Sequence, residues 1–150
     1  MTRTAIVRTV LIAGLLTVAG AATSPAVAAQ SAAQATAADA APFMGEWTLN
    51  LQGENGPAAL DLTVKMDKDK DKEKVVGEIA GGTMPTQPIA DVARADQSLV
   101  LSYTFTYEGN PVDAVVRLTP APENKMNAQI DFAGGAYIMT GTATRKEKVK

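Results

Sequence analysis

Ser98-Leu99-Val100-Leu101-Ser102-Tyr103-Thr104-Phe105-Thr106-Tyr107 alternates along an extended chain: Leu99, Leu101, Tyr103, Phe105 and Tyr107 share one side, and Ser102, Thr104 and Thr106 the other. A period of two over ten residues is the mark of a strand with one face on a core and one in water. The pattern repeats in both directions. Downstream, Glu108-Gly109-Asn110-Pro111 turns the chain and Val112–Thr119 sets Val112, Ala114, Val116 and Leu118 against Asp113, Val115 and Arg117. After the loop 120–125, Met126–Phe132 sets Met126, Ala128, Ile130 and Phe132 against Asn127, Gln129 and Asp131. The turn Ala133-Gly134-Gly135 leads into Ala136–Arg145, with Tyr137, Met139, Gly141, Ala143 and Arg145 on one face.

Upstream the same reading holds. Gly45–Gln52 alternates Trp47, Leu49 and Leu51 with Thr48, Asn50 and Gln52, and Ala59–Met66 follows the turn Glu54-Asn55-Gly56-Pro57. Asn-Gly accommodates positive φ, and proline cannot donate to a ladder. Asp67–Lys74 reads as a charged loop, Val75–Ala80 as a short strand and Ile89–Arg94 as a weak one. The segment 81–88 between them holds Pro85 and Pro88, which rules out a central strand there. The sum is eight antiparallel strands with short connections and no amphipathic helix. Strands in sequence tend to be neighbours in space, and closure removes the exposed edges. The expected fold is all-β: an eight-stranded up-and-down meander closed into a lipocalin- or avidin-like barrel, with a β-sandwich as the alternative.

Two motifs carry a family resemblance. Phe43-x-Gly45-x-Trp47 is similar to the first signature of lipocalins, and Gly141-Thr142-Ala143-Thr144-Arg145 looks like the closing strand of the wider calycin group. The chain also resembles small exported β-barrel domains of bacteria that begin Gly-x-Trp. The resemblance implies that Trp47 plugs the barrel base, that the Arg145 guanidinium lies over its indole by cation–π attraction, and that Gly45, Trp47 and Arg145 are structural. The later lipocalin signatures and cysteines are absent. Avidin's Gly-Ser is replaced by Gly53-Glu54-Asn55, and one Trp cannot build its aromatic box, which argues against biotin.

The ends read differently. Arg3 and Arg8, the apolar run 9–22 and the small residues Ala26-Val27-Ala28-Ala29 form the three parts of a cleaved signal peptide over 1–29. The run is shorter than the ~20 apolar residues that cross a bilayer. With no cysteine there is neither a lipid-anchor site nor a disulfide. A periplasmic or secreted protein is expected, with a flexible Ala/Gln/Thr leader over 30–41, one domain over 42–146 and a basic tail over 147–150. Cleavage removes two arginines and no acid, leaving 12 basic against 16 acidic groups, a net charge of −4. That balance offers nothing to nucleic acid or to anionic lipid.

Catalytic constellations are missing. There is no His or Cys, and Ser98 and Ser102 have no neighbouring base, so His-dependent triads and zinc chemistry are excluded. Asp61, Asp113 and Asp131 fall on outward faces, where strand carboxylates serve solubility and edge protection. Asp67, Asp69, Asp71 and Glu78 match positions 1, 3, 5 and 12 of a calcium loop, but Lys72 stands where the sharp turn needs Gly. No catalytic residue, metal or cofactor is expected. What remains is a binding protein for a small apolar or amphipathic molecule, with the ligand wall at Leu62, Val64, Leu101, Tyr103, Phe105, Val116, Ile130, Phe132, Tyr137 and Met139. Affinity should then rise with apolar length at about 25 cal/mol per Å². The alternative is a non-catalytic module with a filled core that contacts another exported protein.

Overall fold

A computed structural model describes residues 33–69, 72–82 and 84–147. The expected signal peptide and the last three residues of the basic tail lie outside them. The described chain is all-β, with ten strands in one antiparallel sheet: β1 (Ala33–Gln34), β2 (Gly45–Gly53), β3 (Gly56–Asp69), β4 (Lys72–Gly81), β5 (Met84–Pro88), β6 (Asp91–Ala95), β7 (Ser98–Tyr107), β8 (Asn110–Pro120), β9 (Lys125–Phe132) and β10 (Tyr137–Arg145). A short helix α1 (Ala37–Ala40) and a 3-10 turn (Ala41–Phe43) precede β2. The spatial order is β1-β6-β7-β8-β9-β10-β2-β3-β4-β5. This is a meander whose last strand pairs with its first long one, with Arg145 opposite Trp47 and Thr140 opposite Gln52.

The alternation works as physics requires. In β7, Leu99, Leu101 and Tyr103 are buried while Thr104 and Thr106 are exposed, and in β8 Ala114, Val116 and Leu118 are buried while Asp113 and Arg117 are exposed. One face of the curled sheet supplies one continuous core from β2, β3, β4 and β6 through β10.

Three expectations are corrected. The Asp67–Lys74 segment is not simply a loop, because β3 extends into it as far as Asp69 and β4 begins within it at Lys72. Their register sets Asp67 opposite Lys74, Lys68 opposite Glu73 and Asp69 opposite Lys72. Opposite charges facing across a ladder favour pairing, and Lys68 Nζ lies 3.3 Å from the Glu73 carboxylate. Glu78, the twelfth position of the calcium-loop match, is ion-paired with Lys65 at 3.3 Å.

The described part of the 30–41 leader is not free either. Gln34 pairs with Ala93 and Ala33 with Arg94. Thr36 caps α1 in a reciprocal box with Asp39, which buries Ala40. A four-residue helix is unstable alone. Here it is held from outside, since Arg94 Nη1 donates to the Asp39 carbonyl at 3.1 Å.

The third correction concerns closure, because among the described residues no ladder joins the two ends of the sheet. Strand β5 pairs only with β4, and β6 pairs with β7 only from Ser98 to Ser102. Between β5 and β6 the chain steps across the gap with two backbone bonds: Ile89 donates to Gly77 and Ala90 to Ser102, each at 2.8 Å. Pro85 and Pro88 leave β5 short of donors for a second partner. An open seam remains beside Thr104–Tyr107.

Candidate functional site: an aromatic cleft at the open end

The two ends of the sheet are built from the same alternation and finish differently. At one end the core is sealed. Trp47 is 1 % exposed, its Nε1 donates to the Phe43 carbonyl at 2.7 Å, and the Arg145 guanidinium carbon sits 4.6 Å from the centre of its ring. Arg145 also donates to the Pro42 carbonyl at 3.2 Å. The 3-10 turn therefore closes this end by offering two carbonyls to the two side chains. Gly45 is required beside them: its φ is +120°, and a Cβ there would lie 3.0 Å from Arg145 Nη1. Lys146 extends the clasp outward, with its backbone N–H on the Glu46 carbonyl and its Nζ on Asp61, both at 2.8 Å. The Lys146 hydrogen bond and charge, helped by Thr48, hold the Asp61 carboxyl below its ordinary pKa.

At the other end lies a cleft of about 760 Å³. Its floor and walls come from the mouthward ends of the inward faces: Tyr103, Phe105 and Tyr107 on β7, Val112 on β8, Phe132 on β9, Tyr137 and Met139 on β10, and Leu60 on β3. The β2–β3 turn adds Asn55–Ala58, and Gly81 and Met84 complete the side next to the seam. Four rings run round the wall in series. Tyr103 and Phe105 have centroids 6.0 Å apart, and Phe105–Phe132 and Phe132–Tyr137 are each 5.9 Å. These spacings suit tilted and edge-on aromatic contacts. The Tyr137 hydroxyl accepts from the Asn55 backbone N–H at 3.4 Å, and it stands where a Cβ on residue 53 would go, so Gly53 makes room for it.

The seam opens sideways onto this cleft. A groove of about 410 Å³ runs between Met84, Pro85 and Gln87 on β5 and Thr104–Tyr107 on β7, and it shares Met84, Phe105 and Tyr107 with the cleft. Tyr107, 61 % exposed, stands on the rim.

No Asp, Glu, Lys or Arg lines the cleft among the described residues. Tyr103 is the most buried of the three tyrosines that line it. Tyr103 is 1 % exposed, its hydroxyl has no hydrogen-bond partner among the described residues, and burial pushes its pKa up to about 12. The phenol is therefore neutral at physiological pH. An unpaired buried hydroxyl costs about 1–3 kcal/mol, which a phenylalanine of the same shape would not incur.

Of the ten wall residues expected from sequence, Tyr103, Phe105, Phe132, Tyr137 and Met139 meet at the cleft. Leu62, Val64, Leu101, Val116 and Ile130 do not reach it. They point inward as expected but are fully buried: Leu101, Val116 and Ile130 lie side by side below the cleft, whereas Leu62 sits opposite Trp47 and Val64 opposite Gly45 at the base. Alternation gives the face a residue occupies and not its depth. Leu60, Tyr107 and Val112 carried the same inward signal, and their position near strand ends was the clue that they line the mouth. Asn55–Ala58 and Met84 lie in segments with no periodicity to read. Among the described residues, no group of His, Cys, Asp or Glu is placed to hold a metal ion. Asp113 accepts from Thr104 at 2.7 Å on the outer face, and Asp131 accepts from the Gly135 backbone.

A comparison with models of known protein families finds no match to this chain, and a comparison with curated proteins finds none either.

Proposed function

We propose that this protein is an exported, lipocalin-like binding protein that holds one small apolar or amphipathic molecule in the cleft at the open end of its sheet. One observation carries the reading: an uncharged, aromatic-lined cleft of about 760 Å³ stands at the end of a core otherwise filled. Pockets of roughly 300–1,000 Å³ with apolar walls and a few polar groups are typical of small-molecule sites. Nothing in the site favours chemistry over binding, because among the described residues no carboxylate, amine or metal-ligand set lines it. Export rests on the signal-peptide pattern, and the lipocalin likeness on Gly45, Trp47 and Arg145.

The test is a fluorescence titration with N-phenyl-1-naphthylamine, a neutral apolar probe that brightens out of water. A saturable one-to-one signal is expected, and Val112→Trp, which fills the cleft from β8, should abolish it. A linear signal, or one that Val112→Trp leaves intact, sinks the reading. Native mass spectrometry of the protein from its own host should then show a co-purifying lipid-like mass. The exported species should begin near Gln30 by intact mass.

The interaction-module reading keeps one observation of its own, the exposed Tyr107 on the rim. Tyrosines are enriched in protein interfaces. A co-purifying protein lost on Tyr107→Ala, with no probe binding, would favour it.

A further inference from the structure

The cleft is lined by Tyr103, whose hydroxyl is buried and unpartnered, and by no charged residue among the described ones, and these two facts together restrict what it can take. A carboxylate, sulfonate or ammonium entering it would leave water for a site with no counter-ion, which is strongly unfavourable. A pure hydrocarbon would fill the space but leave the Tyr103 hydroxyl unpaired. The molecule that suits both is neutral, with an oxygen at its leading end.

We propose that the Tyr103 hydroxyl is the specificity-determining donor of the site, giving its proton in a hydrogen bond to a carbonyl, ether or hydroxyl oxygen on the buried end of an uncharged apolar ligand. The proposal rests on the reading of the cleft as a binding site and goes beyond it by naming the ligand class. Three observations converge on it. Tyr103 is part of the cleft lining and is 1 % exposed, and its hydroxyl has no partner among the described residues. Buried polar groups are normally satisfied, so an orphan on a side chain that lines a cleft points to a group that arrives from outside. Its cross-strand neighbour on β8 is Ala114, a side chain with no polar atom to offer. By contrast the Tyr137 hydroxyl accepts from the Asn55 backbone and that of Tyr107 stands on the exposed rim, so neither is a buried group left without a partner. The rings of Phe105, Phe132 and Tyr137 on the wall supply flat apolar faces for the body of the ligand.

The experiment displaces N-phenyl-1-naphthylamine with three competitors of one shape: 2-acetylnaphthalene, 2-ethylnaphthalene and 2-naphthoate. One net hydrogen bond of about 1 kcal/mol predicts about a fivefold preference for the ketone over the hydrocarbon, with the carboxylate weakest. Tyr103→Phe should abolish the preference, bringing the ketone down to the hydrocarbon measured in the same variant, whereas Tyr137→Phe should retain it. The infrared carbonyl band of bound 2-acetylnaphthalene gives a readout in the unaltered protein: a shift to lower frequency than in hexane is expected. A preference that survives Tyr103→Phe, a hexane-like carbonyl band, or 2-naphthoate as the best competitor overturns the proposal while the binding site stands. Failure of the fluorescent probe to bind the unaltered protein overturns both.

Discussion

The sealed end around Trp47 and the open end around Tyr103 are made from the same strands and finish in opposite ways. At the sealed end each side chain of the plug has a partner: indole to the Phe43 carbonyl, guanidinium to the Pro42 carbonyl, and Lys146 to Asp61. At the open end, among the described residues, four rings face a void, one hydroxyl is unpaired and β7 beyond Ser102 has no ladder partner on one edge. The difference follows from what covers the strand ends. The segment before β2 folds back over the base, whereas the mouth has only short turns of two to four residues and a proline-bearing edge strand. Stability is concentrated at one end and incompleteness at the other, the usual division between a scaffold and the site it carries.

The contrast is broken most directly at the plug. Trp47→Ala should destabilise by about 3–5 kcal/mol, while Phe105→Ala, half-buried and already facing space, should cost about 1 kcal/mol. Urea unfolding followed by far-UV circular dichroism measures both, and equal losses would erase the distinction between the ends.

Next comes alkaline pH. A Tyr103 phenol raised to about 12 in the folded chain, against an ordinary value of 10.0, stays protonated while the unfolded chain ionises. The folded state then binds the extra proton, so stability is intact below about pH 10 and falls between about 10 and 12. At 1.36 kcal/mol per pH unit the loss approaches about 3 kcal/mol. Because other groups titrate there too, the measurement is the difference between the unaltered protein and Tyr103→Phe. The variant should lack this loss and should be about 1 kcal/mol more stable at neutral pH, freed of an unpaired hydroxyl. A variant less stable at neutral pH would mean that the hydroxyl is satisfied in solution.

Arg145→Ala should cost about 1–2 kcal/mol, losing a cation–π contact and one carbonyl hydrogen bond. Arg145→Lys should recover only part of this, since a point charge cannot both stack on the indole and donate in the same plane. Full recovery would show that charge alone matters at the base.

The smallest effect is expected at the rim of the base. Asp61→Asn should cost under about 1 kcal/mol at neutral pH, as exposed pairs do. Lys146 depresses the Asp61 pKa, so this contribution is present above the ordinary carboxylate pKa of 3.8 and fades as pH falls below it. Stability curves of the two proteins should therefore converge in acid. A gap that persists there would assign the effect to packing.

Much of the architecture was readable because it is local. Leu99, Leu101 and Tyr103 are buried and Thr104 and Thr106 exposed, as the period of two demands. The pairing of the Trp47 strand with the Arg145 strand was also anticipated, and the ladder sets those two residues opposite one another. Other features escaped. The Lys and Asp run from Asp67 to Lys74 has a loop-like composition, and only antiparallel pairing turns its alternating charges into strand extensions. Ala37–Ala40 has no apolar stripe, and only Arg94, fifty-five residues away from Asp39, gives it something to dock against.

For the candidate site the division is similar. Five of the ten expected wall residues line the cleft because they lie near the mouthward ends of their strands, and five are buried below it. By itself the sequence determined the faces, the turns and the meander order, since each depends on residues within a few positions of one another. Only the tertiary structure decided how deep each inward side chain lies, which end is covered, and where the seam stays open. Those depend on how the curled sheet sets distant strand ends level with one another: β5 ends its pairing at a proline, the neighbouring ladder stops at Ser102, and the cleft forms where neither reaches.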